Sequence, residues 1–463
     1  MSDNLHGVFW GKPTTGTQTL IAMGRGGQKR DVIASDRSRA GSDVLTWAEI
    51  SRHVTNNDRW IVIGGEVYDV TEWSKKHPGG PRLIGHYAGQ DATDAFGAFH
   101  NNGDHVRKFL KPLHVGSVEG YTDNDLDKDF RELKSTAVKM GWFQPSYTFY
   151  TLVVGHVVLF QVLTYMVLHW FDVTWWSVLL SLACFTIAQS QAGWTQHDFG
   201  HLSVFKHSWL DHGVHHFLIG IIMGASSSWW NHMHYQHHAK PNVINKDPDV
   251  RLEQLFVVGD EMPKTVAKKK KKSMPFNLQH KYFFALGPPL LYPVYFQIML
   301  FRHMITRRLW NELTYSMVFY ISYIYLFVPK LGFFGAVAMY FAMRCLESHW
   351  FTWVSQSNHI PMTVRSDQSL PWLVMQLNAT CDIEKSPFND WFTGHLNFQI
   401  EHHLFPTMPR HNLYKVAPLV QSLCKKHGIP YTVKPLLQSF VDIVRSLKVS
   451  GEMWKEAYEE IHS

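Results

Sequence analysis

The sequence predicts two unlike parts: a small α+β domain near the N-terminus, then an all-α integral membrane domain of four transmembrane helices under a histidine-rich cap. Three observations predict it. Trp60-Ile-Val-Ile-Gly-Gly-Glu-Val-Tyr-Asp-Val reads as two short strands about a Gly-Gly turn. From residue 140 onward come long runs without Asp, Glu, Lys or Arg. Three histidine clusters stand just outside those runs: His197-Asp-Phe-Gly-His201, His234-Tyr-Gln-His237-His238 and Gln399-Ile-Glu-His402-His403. Neutral imidazole is a good ligand for iron, and one short segment cannot surround two metal ions. Clusters beside membrane-length runs can converge on one membrane face.

Composition agrees. The chain has 29 histidines in 463 residues, and a net charge of +6 is too mild to suggest nucleic acid. Cys184, Cys345, Cys381 and Cys424 stand alone with no C-x-x-C, which indicates neither a zinc ribbon nor a disulfide framework. Eighteen tryptophans suit membrane interfaces. The mean hydropathy of -0.16 averages polar flanks with apolar segments.

Residues 1–42 read as a disordered leader, Gly/Ser/Arg-rich and without the apolar run of a secretory signal, so the N-terminus is expected in the cytosol. Residues 43–119 form the compact unit. It carries His77-Pro78-Gly79-Gly80 and, 23 residues after His77, Ala98-Phe99-His100. With these motifs it resembles the cytochrome b5 domain over its whole length. The resemblance implies a haem b clamped between His77 and His100, with the Pro and glycines letting the backbone approach the porphyrin edge. No C-x-x-C-H occurs, so covalent attachment is not expected. His86, His105 and His114 are read as surface or structural. Residues 120–139 are a charged connector, and 140–463 form the membrane domain.

Residues 140–171 and 173–197 are uncharged, each longer than the ~20 residues that span hydrocarbon, and read as a helical hairpin. Residues 282–301, with 313–343 (charged only at Lys330), read as a second one. Pro288, Pro289 and Pro293 should bend the third span and Pro329 the fourth. Four spans place every histidine cluster and the N-terminal domain on the cytosolic face. That count sends Arg302, Arg307 and Arg308 to the opposite face, against the positive-inside tendency. Splitting 313–343 would put the third cluster on the wrong side unless 282–301 were re-entrant.

His197 and His201 fall at i and i+4 on one helix face, with Asp198 as a candidate acceptor orienting an imidazole. His234 and His238 share a face, whereas His237 projects differently and can reach a second metal. Glu401 is expected at the surface. His212-Gly-Val-His215-His216 also fits H-x-x-H-H but runs into an apolar segment and is read as structural. His156, His169, His232, His280, His349 and His395 are placed around the site or between helices. The C-terminal stretch after His411 has helical periodicity and should pack on the cap.

The three boxes, with Trp229-Trp230-Asn231-His232-Met233 leading into the second and Ala239-Lys240-Pro241-Asn242 following it, resemble the front-end fatty acyl desaturases fused to cytochrome b5, over roughly Asp43 to Tyr458. The likeness is closest to the animal Δ5/Δ6 polyunsaturated acyl-CoA enzymes. Gln399, where many membrane desaturases carry histidine, is part of that signature. The resemblance implies two non-haem irons held by His197, His201, His234, His237, His238, His402 and His403, with His359 as a further ligand after the fourth span. It also implies O2-dependent desaturation of a long-chain polyunsaturated acyl-CoA, electrons from NADH through cytochrome b5 reductase, and residence in the endoplasmic reticulum membrane with both termini cytosolic. Residue details such as Met233 and Val416-Ala-Pro-Leu-Val lean toward Δ5, with Δ6 or dual activity as the alternative. A b5-fused lipid hydroxylase and a non-enzymatic electron-transfer protein are more distant readings. The run Lys268 to Lys272 reads as a solvated loop or headgroup contact. Attraction of CoA phosphates, helped by Arg251, Lys264 or Arg344, is the sharper alternative.

Overall fold

The computed structural model describes residues 43–100, 103–205, 207–251, 253–269 and 274–462. The expected leader and Lys270 to Lys272 lie outside the described residues.

The N-terminal unit is a five-stranded sheet with short helices. Asp58–Ile63 and Glu66–Asp69 pair antiparallel, with Ile63 opposite Glu66. Gly64 and Gly65 at the tip both have positive φ, 61° and 81°, the conformation a two-residue hairpin turn requires. His114–Val118 adds antiparallel to this pair, and Asp43–Leu45 adds parallel to His114–Val118. The expected hairpin is therefore present in register.

The connector contains a helix, Asp125–Lys139, capped by the Asn124 side chain, with Asp125 and Asp127 in its first turn and Lys139 in its last, favourable against the helix dipole. It bridges the two parts. Arg131 pairs with Asp94 at 2.8 Å and Asp123 at 2.6 Å, while Asp129 meets Lys426 and His427 at 2.6 and 2.5 Å. Phe130 stacks on Phe405 of the cap, ring centroids 5.6 Å apart.

Among the described residues, three helices are long and apolar enough to cross a membrane: Tyr147–Trp170, Phe276–Thr306 and Trp310–Ser357. Ser146 caps the first. Trp175–Gly200 is as long but less apolar, with Gln189, Gln191 and Gln196 along it, and starts from a capping box of Thr174 and Ser177. It runs back along Tyr147–Trp170 as the expected hairpin: Ser181 Oγ bonds the Thr164 carbonyl, and Gln189 Nε2 lies 3.2 Å from Gln161 Oε1.

The second hairpin is not where the sequence reading put it. The 48-residue stretch Trp310–Ser357 is non-helical at Gly332, with φ 69° and ψ 169°. Tyr323 Oη donates to the Ala336 carbonyl at 2.7 Å, and the Tyr320 and Tyr340 rings are 6.3 Å apart. In a straight helix residues that far apart in sequence would lie about 20 to 30 Å apart. The chain therefore reverses at Gly332, beside Pro329, and residues 310–331 and 333–357 are the two arms. The reversal packs at the same end as the first: Tyr165 and Phe185 lie 6.4 and 5.8 Å from Phe327.

Phe276–Thr306 instead has both ends at the histidine end of these hairpins. Gln279 Nε2 bonds the carbonyls of Val257 at 2.8 Å and Leu447 at 2.6 Å. Met304 is buried with Trp229, which leads the second histidine box. Pro288, Pro289 and a π-helical run, Leu291–Phe296, interrupt it, as the prolines predict. Arg302, Arg307 and Arg308 thus lie at the histidine end, which removes the charge conflict of the sequence reading. Outer faces of the hairpins are apolar, Phe334 being 84 % and Leu152 68 % exposed. The C-terminal helix Leu436–His462 packs on the cap through Ile443, Leu447 and Trp454, as expected.

Candidate metal centre and haem site

Both hairpins send their second arm away from the turn toward the histidines. Trp175–Gly200, 26 residues or about 39 Å long, exceeds the ~30 Å hydrocarbon thickness and presents His197, with His201 as its C-cap. His359 follows residues 333–357. The second box lies on Ser227–Ala239, whose N-cap Ser226 donates to Glu312 at 2.6 Å, while the Ser228 amide and hydroxyl reach the same carboxylate. Glu312, at the start of Trp310–Ser357, thereby ties the second hairpin to this helix and complements its dipole. The third box lies on the short helix Gln399–Leu404.

These segments converge into two adjacent buried groups. His197, His201, His234, His238 and His402 each bring a ring nitrogen within 4.8 Å of the others, and so do His237, His359 and His403. The groups share a wall where His238 and His403 stack at 4.2 Å. Neighbouring residues His237 and His238, and His402 and His403, are divided between them, as adjacent positions on a helix point different ways.

The donor chemistry suits metal. In the five-histidine group the Nε2 atoms of His201, His234, His238 and His402 form a chain with spacings of 2.9, 3.0 and 3.0 Å. Neutral imidazoles carry one proton each, so a single shared centre satisfies such converging lone pairs better than mutual hydrogen bonds do. Burial pushes His201, His234, His238 and His402 well below the ordinary imidazole range, which keeps them neutral.

In the three-histidine group each Nδ1 has an outer partner. His237 Nδ1 lies 2.9 Å from Asp247 Oδ2, His359 Nδ1 2.9 Å from the Ala379 carbonyl, and His403 Nδ1 3.0 Å from Gln376 Oε1. That pattern assigns a proton to Nδ1 and aims Nε2 inward. At His237, against burial, the Asp247 and Asp249 carboxylates raise the imidazole to about 9, so a metal would have to displace its Nε2 proton. His403 Nε2 is buried with no partner. Gln399 Nε2 lies 3.0 Å from His359 Nε2, so Gln399 borders this group. The sequence reading named none of Asp247, Gln376 or the Ala379 carbonyl. Asp247, in Asn245-Lys246-Asp247-Pro248-Asp249, carried only the weak signal of acids near a histidine box.

Three expectations need correction. The Asp198 carboxylate is 3.8 Å from His197 Nδ1, too long for a hydrogen bond, and is engaged by Tyr150 Oη at 2.9 Å and Arg410 at 3.3 Å. Glu401 is buried rather than exposed, and accepts from Tyr431 Oη at 2.8 Å, turned away from both groups. Arg344 is buried against Glu347 at 2.7 Å and cannot meet a soluble phosphate. His215 bonds Gln196 at 2.6 Å and His216 bonds Ser227 at 2.9 Å, in keeping with the structural reading of their motif.

In the N-terminal unit the His77 and His100 rings face each other with centroids 6.2 Å apart. Imidazoles bind metals at about 2 Å, so two ring nitrogens sharing one metal would stand about 4 Å apart, which this separation accommodates. His100 Nδ1 lies 2.9 Å from the Phe96 carbonyl, leaving Nε2 for the iron. Burial, then His100, lowers His77 to about 4, so it is neutral. A Cβ on Gly79 would stand 2.4 Å from the Leu83 side chain and 3.1 Å from the His77 ring, so a larger residue there would press on both. The pair suits a haem.

This unit is docked on the cap. Tyr87 Oη donates to the Ala239 carbonyl at 2.8 Å. Lys240, 1 % exposed, donates to Gln90 at 2.7 Å and pairs with Asp367 at 3.1 Å. Burial, against the pull of Asp367, lowers its ammonium to about 8, so it remains charged at neutral pH.

Two histidine groups able to hold metal, at the end of apolar helical hairpins and beside a docked domain whose His77 and His100 suit a haem, point to a membrane-associated oxidoreductase. The model of the fatty acid desaturase family matches residues 173–435, more than half the chain, and that of the cytochrome b5-like haem/steroid binding domain matches residues 46–119. The chain belongs to the fatty acid desaturase family and carries a cytochrome b5-like domain. Among solved structures, cytochrome b5 of Ostreococcus tauri virus 2 is 39 % identical over 16 % of this chain and 95 % of its own, with a TM-score of 0.15.

Proposed function

We propose that the chain is a front-end desaturase of long-chain polyunsaturated acyl-CoA. It would insert a cis double bond between an existing one and the carboxyl end, most simply at Δ5, with Δ6 or dual activity as the alternative. The observation that carries the reading is the pair of adjacent buried groups made from four distant segments. When bound, two irons would activate O2 and remove one hydrogen from each of two neighbouring methylenes, while haem b would pass on two electrons from NADH by way of cytochrome b5 reductase. His197, His201, His234, His238 and His402 would hold one iron; His237, His359 and His403, bordered by Gln399, the other. Asp247, Gln376 and the Ala379 carbonyl would hold protons on the far nitrogens and keep the rings aimed. His77 and His100 would hold the haem, in a domain read as 43–119, joined by 120–139 to a desaturase domain of 140–463.

In this reading four arms cross the endoplasmic reticulum membrane, 147–170, 175–200, 310–331 and 333–357, and Phe276–Thr306 lies at the cytosolic boundary. Both termini and all histidine groups are then cytosolic, where reductase and CoA are.

Expression in yeast, with dihomo-γ-linolenic acid and linoleic acid fed separately, tests the proposal by locating new double bonds with gas chromatography–mass spectrometry. Arachidonic acid from the first feed alone supports Δ5. γ-Linolenic acid from the second moves the enzyme to Δ6, and hydroxylated product would establish the hydroxylase reading. No modified product from folded, haem-loaded protein overturns the desaturase assignment.

A further inference from the structure

Phe99, adjacent to His100, leaves the haem-type domain and enters the cap. Its ring meets Tyr235 edge-on at 6.0 Å and Trp372 at 6.2 Å. Tyr235 lies inside the second histidine box, between His234 and His237, but joins neither neighbour. Its ring is 5.9 Å from His201, and its hydroxyl donates at 2.5 Å to the carbonyl of Gly200, the residue bonded to His201. Trp372 offers a longer way round. It runs along its own helix to Gln376, whose side chain lies 3.0 Å from His403 Nδ1 and donates at 3.0 Å to the His238 carbonyl, so this way round ends between the two groups and favours neither.

Electron tunnelling falls steeply across open gaps and is carried better by bonds, hydrogen bonds and packed rings. From His100 to Phe99 the path is covalent, from Phe99 to Tyr235 it is ring contact, and from Tyr235 to His201 it is ring contact plus a hydrogen bond. We propose that Tyr235 is the electron relay between the two halves of the protein, and that electrons enter the metal centre at the five-histidine group rather than at the three-histidine group. The inference rests on the desaturase reading above. Each passage oxidises one ferrous haem to ferric and reduces one ferric non-haem iron to ferrous. Two passages and two protons, with the two hydrogens taken from the acyl chain, reduce one O2 to two waters.

The test uses full-length protein in lipid nanodiscs with haem and iron loaded, the haem reduced by NADH and reductase. It is then mixed with O2 and dihomo-γ-linolenoyl-CoA, and haem reoxidation is followed by its absorbance, iron-free protein giving the background. Haem spectrum and iron content are measured for each variant. Tyr235→Leu is expected to slow iron-dependent reoxidation by about tenfold or more, equivalent to about 1.4 kcal/mol on the barrier. Tyr235→Phe, which keeps the ring, should restore most of the rate. Tyr235→Leu at the wild-type rate with full iron overturns the relay, as does slowing confined to Trp372→Leu. Should Tyr235→Leu lose iron, Phe99→Leu decides: slowed with full iron supports the route, unslowed refutes it. If wild-type protein reoxidises its haem through iron yet makes no unsaturated product, the substrate reading fails while the variants still judge the relay.

Discussion

The two histidine groups touch along one wall, yet they are held in opposite ways. In the three-histidine group every ring is pinned from outside by Asp247, the Ala379 carbonyl or Gln376. In the five-histidine group the rings lean mainly on one another: Asp198 stands off His197 at 3.8 Å, and His238 Nδ1 is buried without a partner. Outer hydrogen bonds fix tautomer and orientation before metal arrives, whereas mutual contact between rings leaves both to be settled on binding. One group is thus preorganised and the other relies on ligand number.

The largest expected effect comes from the shared wall. His238→Ala removes a ring from the five-histidine group and the stacking partner of His403. It should abolish product and reduce iron content, read by elemental analysis; full iron with normal turnover would break the division into two groups. Next is Asp247→Asn, which weakens the acceptor for His237 and should lower metal affinity about 10–100-fold, or about 1.4–2.7 kcal/mol. Asp198→Asn should change metal affinity less and thermal stability more, because it removes the partner of Arg410 and Tyr150. Equal affinity losses for both would erase the contrast. Chelator challenge of the wild type sharpens it kinetically: metal should leave in two phases, and Asp247→Asn should accelerate the slower one. The smallest effect belongs to scaffolding. Gly332→Ala meets no neighbouring atom within 4 Å, so its cost is backbone strain alone, about 1–3 kcal/mol read by thermal unfolding.

A second contrast, between the two hairpins, shows what was legible in the chain. The turn of the first is written in polar residues, Asp172 and the Thr174 cap, that interrupt two apolar runs. At the turn of the second, Pro329 and a single charge, Lys330, precede Gly332 in an otherwise apolar run, and the sequence reads as one span bent at the proline rather than as two arms. Phe276–Thr306 misled in the converse way: it is long and apolar enough to cross, but Met304 and Gln279 tie both its ends to the cap. The histidines that gather into the two groups were legible because imidazoles at helical spacing are rare without a use. Asp247 and Gln376 were not, because an ordinary polar residue acquires meaning only from what stands opposite it.

The sequence by itself determined the chemistry. It placed the three boxes and the split of His237 from His238, since these depend on local spacing, whereas the haem reading of His77 and His100 came from the likeness of their motifs to cytochrome b5. The tertiary structure alone decided where the chain reverses in the second hairpin, which imidazoles have outer partners, and that Phe99 reaches Tyr235. Each of these depends on which distant surfaces meet when apolar area is buried, and periodicity along one strand of chain carries no record of that.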